Sequence, residues 1–291
     1  MAIREHIRHP LEWSADQLRT ANVAVGRASH SLRSPAEIER PGLPAVRRIA
    51  LTDLGEVLAK GLDDFGAYRT DVIFLCIIYP LAGLVLASLA FGYDMLPLLF
   101  PLASGFALIG PVAAVGLYEM SRRREQGVDI SWADAFGVVR APAFGAILVL
   151  GLVLLAIFLL WLGAAYAIYF VTLSPEPPAS LGAFVRDVFT TSAGWALIVA
   201  GVGVGALFAL LVLMISVVSF PLLLDRDVGL YRAMATSVHA VLANPGPMAA
   251  WGLIVAGGLL IGSIPVLLGL IIVMPVLGHA TWHLYRKVVP R

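Results

Sequence analysis

The sequence predicts an all-α fold: a polytopic membrane helix bundle of six transmembrane helices joined by short interfacial helices. Three observations predict it. Hydrophobic residues make up 59% of the chain and charged residues 13%, with mean hydropathy +0.89. A soluble domain carries about a quarter charged residues. Phe100 to Tyr118 contains no charge, and Arg122, Arg123 and Arg124 arrive together four residues after it ends. About twenty apolar residues at 1.5 Å each cross a bilayer, and cations directly after a span mark its cytoplasmic end. The last apolar run, Pro247 to Gly278, is too long for a single crossing. As one helix it would measure about 48 Å against roughly 30 Å of hydrocarbon.

Residues 1–45 read as a polar, partly disordered cytoplasmic tail, and residues 46–291 as the membrane domain. His6, His9 and His30 are scattered along the tail without metal-ligand spacing and read as solvated. An amphipathic interfacial helix over 53–69 follows, with Asp53 as its cap. Leu54, Val57, Leu58, Leu62, Phe65 and Tyr68 lie on its apolar face; Asp53, Glu56, Lys60 and Asp64 lie on the other. The spans are placed at about 72–91, 95–120, 143–172, 193–224, 247–263 and 266–286. Ile130 to Val139 and Tyr231 to Leu242 are too short and too polar to cross, and read as surface helices. Leu173 to Thr191, with Arg186 and Asp187, is the outer loop.

The final run turns near Ser263-Ile-Pro265 and returns Arg286, Lys287 and Arg291 to the cytoplasm. Nineteen of the twenty lysines and arginines then face inward, leaving Arg186 outside, as the positive-inside rule requires. Spans four to five copy the layout of spans two to three, a weak echo of a duplicated two-helix unit.

Candidate chemistry is sparse. Net charge is +1, which gives no electrostatic case for nucleic acid. The single cysteine, Cys76, builds no intrachain disulfide. Intramembrane charges would mark a site, but Asp71, Asp94, Glu119 and Asp225 all sit at span ends. Glu119 precedes Arg122 and Arg123 by three and four residues, the spacing of an intrahelical ion pair. The sharper alternative makes Glu119, Arg122, Arg123, Arg124 and the nearby Trp132 a docking or headgroup site. His279 and His283 share a helix face and are weak metal or haem candidates, but two ligands complete no site. Trp282 and Tyr285 beside them describe an interfacial aromatic belt. Gly201 with Gly205, and Gly258 with Gly262, have the spacing of close helix packing. No cofactor, nucleophile elbow or phosphate loop is read from the chain.

The stretch FPLASGFALIGPVAAVGLYEMSRRRE, Phe100 to Glu125, resembles an uncharacterised bacterial integral-membrane family, domain of unknown function 2189. LAKGLDDFGAYRTD, Leu58 to Asp71, resembles the same family's approach to its first span. It departs from the pattern at Leu62, where the family has an aromatic residue, and at Asp63, where it has a basic one. The resemblance covers most of Ala50 to Val288. It implies a bacterial inner-membrane protein, some of whose relatives are described as cytochrome c oxidase-related. The chain lacks the intramembrane histidines of a haem-copper subunit, so that link implies an accessory role.

The reading that results is a non-catalytic inner-membrane protein acting as a structural, accessory or assembly factor. Its partners are the lipid bilayer and a membrane-protein partner such as respiratory complex subunits. The alternative is a transporter or channel for a small neutral or apolar solute. Both termini are expected in the cytoplasm. A reporter fused after Arg291 should therefore be active only if it functions in the cytoplasm; activity of a periplasm-dependent reporter would reverse that orientation.

Overall fold

The computed structural model describes residues 42–67, then 72, 73, 76, 77, 80, 81, 83–85 and 88, then 96–128, 137–139, 141–173, 178 and 180–291. Among the described residues there are helices and turns but no strand. Residues 1–41 of the tail, most of the predicted first span, and Trp132 lie outside them.

Helix α1 covers Leu51–Ala67. A 3-10 turn, Leu96–Leu98, leads into α2, Leu99–Ala113, and α3, Val115–Glu125. Helix α4 is Phe144–Thr172, α5 Leu181–Thr190, α6 Ser192–Ser216 and α7 Ser219–Asp225. Helix α8 is Leu230–Ala243, α9 Pro245–Ser263 and α10 Leu270–Val288.

Among the described residues, four helical stretches are long and apolar enough to cross a membrane: Leu96–Glu125, Phe144–Thr172, Ser192–Asp225 and Pro245–Ser263. They correspond to predicted spans two to five. The last predicted span is α10, whose second half carries His279, His283, Arg286 and Lys287, so it does not reach the same apolarity. The all-helical membrane class therefore stands; among the described residues four of the six expected spans are candidates by length and apolarity, and most of the first lies outside them.

Prolines shape the long helices. Pro221 removes a backbone donor and crowds the carbonyl four residues earlier. The break between α6 and α7 falls there, at Val217 and Val218. The freed Val218 N–H donates instead to Ser237 Oγ of α8 at 3.2 Å. Pro111 lies within α2, and the α2–α3 junction follows at Ala114. No continuous helix runs through Pro247–Gly278: α9 stops at Ser263 and α10 starts at Leu270.

Helix α1 starts two residues earlier than expected. Asp53 is not its cap; from the third helical position it reaches back to accept the Ala50 N–H at 2.8 Å, the reciprocal half of a capping box. The buried line of α1 also differs from the predicted face. Leu54, Val57, Gly61 and Asp64 are buried, whereas Leu62 is 55% exposed. That line packs along α10, so the helix covers protein where lipid was expected.

Gly61 is what lets the two backbones meet. A Cβ there would lie 2.7 Å from Ala280 Cβ and 2.8 Å from the Val276 carbonyl oxygen, whereas at Gly66 it would meet nothing. Ala at either position gains up to about 1 kcal/mol of helix propensity. At Gly61 the overpacking costs about 1–3 kcal/mol and wins. Gly61→Ala should lower unfolding stability in detergent, and Gly66→Ala should leave it equal or raise it.

Candidate functional site

The polar chemistry of the described residues gathers where α1, α3, α7 and α10 meet, which is the arginine-bearing end of the bundle. At its centre lies Asp64, 5% exposed. It hangs from α1 between two helices distant in sequence. Arg124 Nη1 of α3 donates to Oδ1 at 2.5 Å, and Arg124 also reaches Asp63 at 3.4 Å. On Oδ2, Ser121 Oγ donates at 2.5 Å and His283 Nε2 of α10 lies at 2.9 Å. Ser121 Oγ in turn stands 2.8 Å from His279 Nδ1.

Counting protons constrains this network. An ionised carboxylate only accepts, so the single Ser121 hydroxyl proton goes to Asp64. His279 Nδ1 must then carry the proton between it and Oγ, which leaves Nε2 bare. Nε2 is indeed the buried side-chain nitrogen without a hydrogen-bond partner among the described residues. Burial pulls the Asp64 pKa upward. Hydrogen bonds from His283 and Ser121 outweigh it and hold the carboxyl below its ordinary value.

Serine, histidine and aspartate together invite a hydrolase reading, and the order of contacts rejects it. In a nucleophilic triad the imidazole stands between carboxylate and hydroxyl and takes the hydroxyl proton. Here the hydroxyl stands in the middle and gives its proton to the carboxylate, and Ser121 is 2% exposed. The histidine pair predicted as a weak metal site is spent on Ser121 and Asp64. Among the described residues no three His, Cys, Asp or Glu side chains are placed to hold a metal ion.

The other predicted residues are drawn into the same end. Glu119, 3% exposed, accepts Arg122 Nε at 2.8 Å and Nη2 at 3.0 Å, and Arg123 Nε at 2.8 Å. That is the intrahelical pairing its spacing suggested. Glu125 accepts Trp282 Nε1 at 3.2 Å, Arg286 Nη2 at 3.0 Å and Arg291 Nη2 at 2.9 Å. Asp225 of α7 accepts the Tyr285 hydroxyl at 2.6 Å and Arg286 Nη1 at 3.3 Å. Lys287 donates to Asp53 at 2.8 Å and to Glu56 at 2.6 Å, lowering both carboxyl pKa values. Asn244 closes the ring. Its Oδ1 accepts the Ile49 N–H at 2.8 Å and its Nδ2 donates to the Arg47 carbonyl at 3.1 Å. Sequence reading missed Asp64, Ser121, Glu125 and Asn244, whose partners lie far along the chain.

Away from this end the interior is apolar. A cavity of about 680 Å³ lies between α2, α6 and α9, lined by small residues such as Ala107, Gly201, Ala206, Ala209 and Ala256, with Trp161 of α4. Its few polar groups are occupied: Trp161 Nε1 donates to Ser104 Oγ, and Ser216 and Thr281 donate to carbonyls of their own helices. The glycine pairs divide. Gly258 and Gly262 abut Val273, Leu277 and Leu270 of α10, and Gly205 abuts Trp161, whereas nothing crowds Gly201.

Removing the central charge tests the network. Asp64→Asn removes the charge that Arg124 and His283 meet in a largely buried junction and should cost about 2–3 kcal/mol of stability. Asp63→Asn, on a 79% exposed side chain, should change it by less than about 0.5 kcal/mol. Because the Asp64 pKa is depressed on folding, its stabilisation is complete above the unfolded value near 4 and is lost as pH falls through the folded one. Unfolding followed from pH 7 to pH 3 should show a steeper acid loss for the wild type than for Asp64→Asn.

No curated protein and no solved structure matches the chain. A family model does match, and it covers residues 99–225, from the first residue of α2 to the last of α7. It takes in the arginine cluster, Glu119 and Ser121, while the Leu58–Asp71 stretch with Asp64 lies outside it. Over residues 99–225 the chain thus carries the pattern of domain of unknown function 2189, described as a predicted integral membrane protein.

Proposed function

We propose that this protein is a non-catalytic accessory or assembly factor of a bacterial inner membrane, with both termini in the cytoplasm. One observation carries the reading: ion pairs at the arginine-bearing end tie α1 to α3 and to α10, and α10 in turn to α3 and α7. That makes a fixed platform, whereas a transporter needs halves that rock about a central site. The platform's rim is formed by Arg122 and Arg123, both half-buried against Glu119. Their positive charge attracts an anionic partner surface or lipid headgroups, and Trp132 follows them in sequence. Subunits of a respiratory complex are the partners that the family resemblance suggests.

A second reading, passage of a small neutral or apolar solute, draws support from the apolar cavity. Tyr118, Ser216, Val217 and Thr281 among its lining are all buried, which supports a binding pocket over an open pore.

Changing Arg122, Arg123 and Arg124 to Gln, with two arginines restored elsewhere in the same loop, separates docking from topology. The expected result is retained orientation and loss of the co-purifying partner. A partner that still binds, or a lone purified species that moves solute across liposomes, sinks the docking proposal.

A further inference from the structure

The cavity between α2, α6 and α9 is drawn out along the helices. Its lining runs from Gly201 to Val217 on α6, about 24 Å of helix, and from Ala249 to Leu259 on α9, about 15 Å. One leaflet contributes about 15 Å of hydrocarbon, half of the roughly 30 Å of a bilayer core. The cavity also opens sideways. Val202 and Leu210 of α6 and Leu253 of α9 line it, yet are 58%, 48% and 75% exposed. The surfaces beside the opening are apolar too: Val199, Leu207 and Leu211 of α6 and Leu260 and Ile261 of α9 are exposed. In a membrane such surfaces face acyl chains, so the opening gives onto lipid.

The chemistry of the walls calls for hydrocarbon. Ser216 and Thr281 donate to carbonyls of their own helices, and Ser104 Oγ donates to the Pro101 carbonyl while accepting Trp161 Nε1. A water needs about two to four polar partners to stay in a cavity, whereas an apolar void stays dry and takes apolar molecules. Size then selects among those molecules. An apolar cavity of about 150 Å³ takes one benzene ring, so about 680 Å³ holds roughly 25 carbons on the same scale. That is the bulk of a long chain and several times that of a small solute. The polypeptide itself offers no better occupant. None of the described residues of the first predicted span lines the cavity, and the N-terminal tail carries six arginines.

We propose that the cavity binds one acyl chain of a membrane phospholipid, which enters sideways between α6 and α9. The headgroup and the second chain stay outside, in the bilayer. Small residues make the space: Ala107 of α2, Gly201, Ala206 and Ala209 of α6 and Ala256 of α9 all line it. A Cβ added at Gly201 would still meet nothing within 4 Å. A bound chain restores along these walls the dispersion contacts that a gap forfeits. The proposal rests on the pocket reading of this cavity, whose occupant it names, and is independent of the accessory role.

Filling the cavity tests it. The full-length protein is purified in a mild detergent and washed free of loosely held lipid, and the phospholipid that stays is measured by native mass spectrometry. Wild type should carry about one phospholipid per chain. Ala107→Phe on α2 and Ala209→Phe on α6 each put a ring into the cavity and should lower the retained fraction at least about tenfold. Ala103→Phe, the same change at an exposed position of α2 outside the lining, should keep it. Should one filled variant fail to fold, the other, on a different helix, decides. Retention that filling leaves unchanged makes the lipid a molecule of the outer surface and overturns the proposal. A wild type that keeps no phospholipid, yet is stabilised against heat by benzene when the filled variants are not, overturns the acyl chain and leaves the pocket reading standing. No retention and no response to benzene overturn both. A dimer that comes apart on filling puts a second copy of the protein in the cleft and likewise overturns the proposal.

Discussion

The fold depends on how one carboxylate is kept charged away from water. Asp64 sits at a junction of three helices, and an isolated charge there would cost several kcal/mol. It is tolerated because Arg124, Ser121 and His283 together supply donors to both oxygens. Each donor comes from a helix that must be held in register for the bond to form. The register of α1 on α10, set sterically by Gly61 against Ala280, is the one that brings Asp64 to those donors. Packing and electrostatics thus specify the same arrangement, and a slip of α1 by one turn would lose both.

Hydrocarbon imposes a different rule on the rest of the bundle. Helices in lipid gain little from apolar burial against each other, so close approach through small residues takes over. Gly262 against Leu270, Gly205 against Trp161 and Gly105 against Phe158 are such approaches. Hydroxyls within the spans are quietened locally: Ser216, Ser263 and Thr281 each donate to a carbonyl of their own helix four residues back. The same economy explains why the lining of the cavity between α2, α6 and α9 asks nothing polar of whatever fills it.

Much of this was legible in the sequence. Long apolar runs gave the helices α2, α4, α6 and α9, because length and composition decide membrane helices with little tertiary input. Spacing alone gave the Glu119 pairs and the seam at Gly258 and Gly262. The failures share a cause. Asp64 was assigned to the wet face of α1 since a charge on an amphipathic helix usually faces water, yet its spacing from Leu54, Val57 and Gly61 already put it on one line with them. Its donors lie 57 to 219 residues away, a separation no periodicity reveals.

The two ends of the bundle are consequently held by opposite physics. At the arginine-bearing end, charge-assisted hydrogen bonds fix side chains directionally, and the buried members are screened little by salt. Toward the hairpin tip, contacts are dispersive and small-residue approaches leave open volume, the cavity between α2, α6 and α9. A perturbation at the ionic end has few soft coordinates to relax along, whereas a hydrophobic object entering between α6 and α9 meets only side-chain packing. Occupation of the cavity would therefore be felt first by the apolar turn at 264–269, whose hydrogen bonds are local and move with it, and last by Asp64 and its partners. Any coupling between membrane contents and the polar face must pass along α10, the one helix that carries both the turn's exit and the two histidines.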